Sequence, residues 1–256
     1  MKSESGNTAP KILITATELH LLQFWTEHIK AFIEEGYSVD LVCSEVGGKL
    51  DKLKSRLYEC GNPRLNVVCL RRNPFSPKNL KGLRQLKKLF AKNKYDAVFT
   101  NEPVMGMMTR IAAASARKAY GTKVIYIVHG FHFWKGAPLL NWALFYPAEK
   151  FASCFTDVIV TINNEDYEFA KLHFKKPKVL RSNGIGVNLE GYAFDANIRR
   201  KKRESLGLKN SDFAVFCVSE LTERKNLFFA LGIIKKLVNE SQNVVKFFVR
   251  GKGPLH

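Results

Sequence analysis

The residues of this chain best suited to chemistry lie together in one segment, Val128-His129-Gly130-Phe131-His132-Phe133-Trp134-Lys135-Gly136. An imidazole such as His129 titrates near neutrality and can donate or accept a hydrogen bond. Gly130 lets the backbone approach a ligand closely, and the aromatic side chains offer faces on which a sugar ring can stack. The segment follows the apolar run Val124-Ile125-Tyr126-Ile127-Val128, and open α/β sheets bind ligands just past the carboxyl ends of their strands. By position alone, His129 divides evenly between a ligand-binding residue and a histidine satisfied in the core.

The elements that must hold this segment alternate along the whole chain. Strand-like apolar runs fall at 11–17, 38–44, 66–72, 97–102, 123–130, 156–163, 178–182, 213–220 and 244–251. Amphipathic stretches of helical length lie between them, at 22–35, 49–60, 77–92, 104–118, 139–153, 165–174, 198–206 and 226–240. Strands that are apolar almost throughout are expected where helices cover both faces of a parallel sheet, so the fold class is a doubly wound α/β fold. The turn-rich segment Gly184-Ile185-Gly186-Val187-Asn188 and the charge run opening at Ile198 put a boundary near residue 190. The expected organisation is a polar tail over 1–10, a complete Rossmann-like domain over 11–190, and the first part of a second one over 191–256. Two strands and two helices bury too little apolar surface to stand alone, so the second domain is expected to be incomplete.

Of 256 residues, 41 are Lys or Arg and 23 are Asp or Glu, a formal net charge of +18. Hydrophobic residues make up 46%, which excludes a disordered chain. Two windows hold nearly all the excess charge: residues 71–94 carry nine basic side chains and no acid, and residues 171–209 carry eleven against three. Such patches suit an anionic membrane surface or phosphorylated ligands, or are solvated helix faces. No nucleic-acid module is recognisable, and nucleic acid is not expected as a partner. Five cysteines, with no C-x-x-C spacing, read as reduced, buried thiols of a cytoplasmic protein. The stretch 124–148 has only Lys135 as a formal charge, but Gly130, Gly136, Pro138 and Pro147 break it into a strand, a loop and a short helix rather than a membrane span. The helix at 77–92 sets Leu80, Leu83, Leu86 and Phe90 near one side and Lys81, Arg84, Lys87, Lys88 and Lys92 elsewhere, and the helix at 139–153 carries Trp142 and Tyr146. Either is a candidate for peripheral contact with the inner face of the cell membrane.

The run from His129 to Lys150, followed by Thr156-Asp-Val-Ile-Val-Thr-Ile-Asn-Asn-Glu-Asp-Tyr167, resembles family 4 glycosyltransferases of bacterial capsule and exopolysaccharide synthesis. Thr100-Asn-Glu-Pro-Val-Met-Gly-Met-Met-Thr-Arg-Ile-Ala113, Gly184-Ile-Gly-Val-Asn188 and Val218-Ser-Glu-Leu-Thr-Glu-Arg-Lys-Asn226 carry the same likeness, which covers about residues 11 to 256. The resemblance implies the GT-B architecture, two Rossmann-like domains with the acceptor bound by the first and a nucleotide-sugar donor by the second. His129 then matches the histidine near the donor sugar, with Gly130 beside it in the catalytic segment. Asn101, Glu102, His132 and Lys135 fall on the acceptor side. Lys225 matches the basic residue on the donor diphosphate, with Arg224 and Asn226 as further donor-binding candidates. A cation ahead of a helix adds to free backbone N–H groups and the positive dipole end, although Lys225 also reads as a solvated lysine. At Glu220, where many relatives carry arginine, no phosphate contact is assigned.

The resemblance implies retaining transfer from a nucleotide-sugar, UDP-linked, to a lipid-linked or saccharide acceptor in surface polysaccharide assembly. With lysine and helix-terminal amides to neutralise the diphosphate, and no Asp-x-Asp or His/Cys ligand cluster in the sequence, the reaction is expected to need no metal or other cofactor. Relatives continue for roughly another hundred residues past Gly251-Lys-Gly-Pro254, enough to complete a domain. The alternative is therefore a non-catalytic fragment that binds acceptor or membrane.

Overall fold

The computed structural model describes residues 9–46, 50–184, 186 and 189–255. Most of the expected polar tail, the start of the helix expected at 49, and Ile185, Val187 and Asn188 of the expected boundary segment lie outside the described residues. The chain divides between residues 186 and 187 into two units, beside the boundary read from the sequence.

The larger unit is a parallel sheet of seven strands: β1 (Lys11–Thr15), β2 (Ser38–Cys43), β3 (Arg64–Val67), β4 (Ala97–Asn101), β5 (Lys123–Val128), β6 (Val158–Thr161) and β7 (Lys178–Arg181). Their order is β3-β2-β1-β4-β5-β6-β7. The chain therefore winds outward from β1 to one edge, returns to β4 beside β1, and winds outward to the other edge. Its helices are α1 (Thr26–Glu34), α2 (Leu50–Glu59), α3 (Lys78–Lys92), α4 (Pro103–Ala112), α5 (Ala114–Tyr120), α6 (Leu139–Ser153) and α7 (Asn164–His173). Because side chains alternate along a strand, β1 feeds two cores. Ile12 and Ile14 join Val39 and Leu41 of β2 and Ile29 of α1, while Leu13 joins Val98, Val124, and Leu86 and Phe90 of α3. At fractional exposures near zero, each such aliphatic side chain contributes about 1.5–3 kcal/mol by leaving water.

The third strand lies earlier than the apolar run at 66–72 predicts. Arg64 pairs with Asp40 of β2 at 2.7 Å, and after Val68 the chain leaves the sheet. Leu70 is fully buried, yet it belongs to a loop pressed under α3: a Cβ on Gly82 would come within 2.5 Å of its side chain. The helix expected over 104–118 is two helices meeting at Ala113. Gly106 lets α4 lie directly on β5, where any Cβ would meet the Tyr126 ring at 2.7 Å. Pro147, read as a breaker, lies inside α6 on its exposed side. Below it Glu149 is buried, bonded to Arg110 of α4 at 2.9 Å and to the Tyr126 hydroxyl at 3.1 Å. Removing one member of such a buried charged pair costs several kcal/mol, so this contact fixes α6 against α4 and β5.

The smaller unit holds α8 (Ala196–Ser205), β8 (Phe213–Val218), α9 (Leu227–Glu240) and β9 (Val245–Arg250), with β8 and β9 parallel. Neither helix buries a residue, and Phe228 and Phe229 are largely exposed.

The cysteines are all free, but only Cys43 is buried and Cys154 is exposed, correcting the expectation of uniformly buried thiols. Burial pushes the Cys43 thiol up to about 12. Alkylation followed by peptide mass analysis should modify Cys154 first and spare Cys43 until the protein is unfolded.

Candidate functional site

The carboxyl edge of the larger sheet gathers residues 16–18 after β1, Asn101 at the end of β4 with Glu102 beyond it, and 129–138 after β5. Strand order reverses between β1 and β4, the place where two adjacent connections leave for opposite faces and open a crevice. Its floor is a buried hydroxyl chain, Thr15 Oγ1 to Thr100 Oγ1 at 2.6 Å and to Thr109 Oγ1 at 3.2 Å. Asn101, itself buried, donates from Nδ2 to the Thr15 carbonyl at 3.2 Å. That bond turns its Oδ1 toward His129 Nε2, 3.2 Å away. An amide oxygen only accepts, so Nε2 carries the proton and Nδ1 keeps its lone pair. His129 is exposed as a residue, but its ring sits low enough for desolvation to lower its pKa. The imidazole is thus an oriented, neutral acceptor at neutral pH.

Glu102 joins the same edge in a conformation that L residues avoid, φ 64° and ψ 154°. Holding it there costs about 1–3 kcal/mol, and its carboxylate accepts the Thr17 N–H at 2.5 Å, tying the β4 loop to the β1 loop. Desolvation raises the Glu102 pKa, and the nearby negative charge of Glu18 adds to the rise. Glu18, buried, is paired with Arg72 at 3.1 Å and His20 at 3.2 Å. Sequence reading missed Thr17, Glu18, His20 and Arg72. The available signal was a carboxylate just past the end of the first strand-like run.

Gly130 holds φ at 136° with open space around a hypothetical Cβ, so the backbone angle alone favours glycine. Beyond it the side chains alternate. Phe131 and Phe133 turn inward, stacked at 4.9 Å, with Phe133 against Trp142, Tyr146 and Phe169. They are core residues, which removes them from the sugar-stacking faces read from the sequence, whereas Trp134 is 47% exposed. Helix α7 anchors this loop from below: Asn163 caps it by accepting the Asp166 N–H at 2.8 Å, and its first-turn carboxylates accept the Phe131 and Lys135 N–H groups. His132 packs on Phe145, and its carbonyl accepts from Asn141 at 3.0 Å. His129, Asn101 and Glu102 are therefore brought together, while His132 and Lys135 lie farther along the loop, exposed, at the start of α6.

In the smaller unit, Arg224 and Lys225 end a short 3-10 turn (Glu223–Lys225), and Asn226 takes a left-handed conformation just before α9. All three are exposed. Arg224 faces Glu220 at 3.8 Å, a pairing that exposure makes weak. Thr222 Oγ1 is buried with no partner among the described residues. The loop after β9 lies flat against this turn: a Cβ on Gly251 or Gly253 would overlap the Ser219 or Leu221 carbonyl oxygen, at 1.8 and 2.3 Å. Those two glycines were not among the predicted site residues. Among the described residues no group of three or more His, Cys, Asp or Glu side chains is gathered in a metal-binding cluster.

Phe133→Ala should cost about 3–5 kcal/mol in urea unfolding, and Trp134→Ala about 0.5 kcal/mol or less. Equal effects would mean that this loop faces the other way.

The model of Glycosyltransferase Family 4 matches residues 23–189. A Bacillus subtilis (strain 168) protein named as glycosyltransferase EpsD is 38% identical over 234 residues, which cover 89% of this chain and 58% of that protein. The Escherichia coli UDP-Gal:alpha-D-GlcNAc-diphosphoundecaprenol alpha-1,3-galactosyltransferase is 34% identical over 199 residues, covering 77% of this chain and 49% of that one. The chain thus spans about half the length of these relatives. Among solved structures, Anabaena HepE in complex with UDP-glucose superposes with a TM-score of 0.64 at 17% identity, over 94% of this chain and 60% of HepE, a likeness of fold. With the family model covering well over half of its residues, the chain belongs to Glycosyltransferase Family 4.

Proposed function

We propose that this chain supplies the acceptor side and the first donor-side elements of a retaining, metal-independent glycosyltransferase. The donor is a nucleotide-sugar, UDP-linked, and the acceptor a lipid-linked saccharide in capsular or exopolysaccharide assembly. The observation that carries this reading is the oriented, neutral imidazole of His129, held by Asn101 beside the strand-order reversal. The E. coli relative, named for a UDP-galactose donor and a diphosphoundecaprenol-linked acceptor, supports the substrate classes.

In the reaction the acceptor oxygen bonds to the anomeric carbon as the bond from that carbon to the diphosphate oxygen breaks. The bonding pair leaves with the diphosphate, and the acceptor proton passes to it on the same face. His129 Nδ1 accepts a hydroxyl of the donor sugar and holds the ring as positive charge develops. Lys225 and the amides ahead of α9 take up the growing negative charge of the leaving group, an interaction stronger in the transition state than in the ground state. Glu102, with one oxygen on the Thr17 N–H, offers its other carboxylate oxygen to an acceptor hydroxyl.

Transfer from a panel of UDP-sugars to diphospholipid-linked N-acetylglucosamine tests this, using the chain alone and the chain continued with the C-terminal portion of the B. subtilis relative. The continued chain should form product with the donor's anomeric configuration, read by NMR, and EDTA should not matter. Inversion overturns the retaining assignment, loss with EDTA overturns metal independence, and inactivity of both proteins with every donor leaves a binding fragment.

In the continued enzyme, Lys225→Ala should raise donor KM and lower kcat, each about tenfold or more. His129→Ala should lower kcat while leaving donor KM nearly unchanged. Protonating Nδ1 removes its acceptor, so kcat should fall on acidification with a midpoint below the ordinary histidine value of 6.5. The His129→Ala enzyme should lose that acid limb.

A further inference from the structure

The basic excess of the larger unit is concentrated in one stretch of the chain. Between Arg71 and Ala148 the sequence holds fourteen Lys or Arg and two acids, Asp96 and Glu102. Asp96 lies at the amino edge of the sheet, bonded to the Lys11 N–H, and Glu102 is occupied with Thr17. Helices α3, α4 and α6 form a row, with α4 touching both neighbours, and all three begin at the carboxyl edge. The only acid in these helices is Glu149, buried and paired with Arg110.

The most exposed large apolar side chains of this row lie at the starts of its two outer helices, with Leu144 and Phe151 farther along α6 less exposed, at 43% and 53%. Phe75 and Leu80 are 77% and 61% exposed, beside Lys78 and Lys81. Their segment is braced rather than loose, since Asn79 accepts the Arg71 N–H and donates to the Asn73 carbonyl. At α6, Leu139 and Leu140 are 86% and 66% exposed, next to Trp134 and Lys135. With α4 between them, the two apolar points are two helix spacings apart, about 16–20 Å.

We propose that this carboxyl edge docks on an anionic lipid bilayer, with Phe75 and Leu80 at the α3 start and Leu139 and Leu140 at the α6 start entering the interface, and Lys78, Lys81 and Lys135 meeting the headgroups. Charge decides between a bilayer and a second copy of the chain: a two-fold contact sets the same patch against itself, and here that brings Lys78, Lys81 and Lys135 against their own copies, with Glu165, which accepts the Lys135 N–H, as the exposed acid beside them. An anionic surface neutralises them, each basic residue contributing severalfold to partitioning, and separated apolar points suit an interface better than a compact protein pocket. The contact lies on the edge that holds His129, so it deepens the lipid-linked acceptor reading by facing that crevice toward the membrane. Its test is independent of turnover, and failure of one leaves the other standing.

The measurement is co-sedimentation of the chain with vesicles of phosphatidylcholine alone or mixed with phosphatidylglycerol. Binding should require phosphatidylglycerol and fall as salt is raised. It should drop about tenfold or more in Lys78→Glu/Lys81→Glu, and severalfold in Phe75→Ser/Leu80→Ser and in Leu139→Ser/Leu140→Ser, exposed positions whose variants keep the wild-type circular dichroism. Lys87→Glu/Lys88→Glu/Lys92→Glu, farther along α3, should retain most binding. No binding to either vesicle overturns the proposal. Loss confined to the Lys87, Lys88 and Lys92 variant overturns edge-on docking. Self-association in sedimentation velocity that the same apolar substitutions abolish assigns the surface to a second copy and also overturns it.

Discussion

The junction of β1 and β4 is the constraint on which the larger unit depends. A parallel sheet wound outward in both directions from its middle must leave two central neighbours whose following connections depart to opposite faces. At that gap the backbone loses its lateral partners, and polar side chains close it. Asn101 does most of this, spanning from the Thr15 carbonyl to the His129 ring, while Glu102 holds the Thr17 amide. Structural satisfaction and chemical readiness coincide here, because the bond that orients the amide also fixes which imidazole nitrogen is free.

The loop after β5 carries that ring outward only because it is anchored below. Phe131 and Phe133 sink into an aromatic cluster shared by α6 and α7, and two carboxylates of the α7 first turn hold its backbone. The buried Arg110–Glu149 pair with Tyr126 fixes α6 in turn. A loop pinned at this many points places its exposed residues reproducibly, a prerequisite for transition-state stabilisation by positioned groups.

Much of the fold was legible because it rests on period. The apolar runs and the helical stretches between them need no knowledge of contacts, and the extent of α3 and α6 followed from spacing. The failures have physical causes. The strand read at 66–72 runs past Val67 because the loop at 68–70, buried under α3, is as apolar as a strand. The break at Ala113 left no mark, since alanine favours a helix on either side. Of the candidate site residues, His129 stood out by its place after a strand, whereas Asn101 and Glu102 entered through the family resemblance. The pairing of Glu18 with Arg72 was not visible, because it joins loops far apart in sequence that only the sheet order brings together. Aromatic residues were the most misleading, for Phe131 and Phe133 look as available as Trp134 until the alternation of the loop is known.

The account stands or falls on whether the Asn101 bridge prepares His129 for transfer. Asn101→Leu leaves the histidine in the chain but removes its anchor, and the steady-state kinetics of the continued enzyme measure the consequence. The kcat should fall by about 10–100-fold, by analogy with the loss of the hydrogen-bond partner that orients a metal-bound histidine, with donor KM held near the wild-type value. A wild-type kcat in the folded Asn101→Leu enzyme would contradict it.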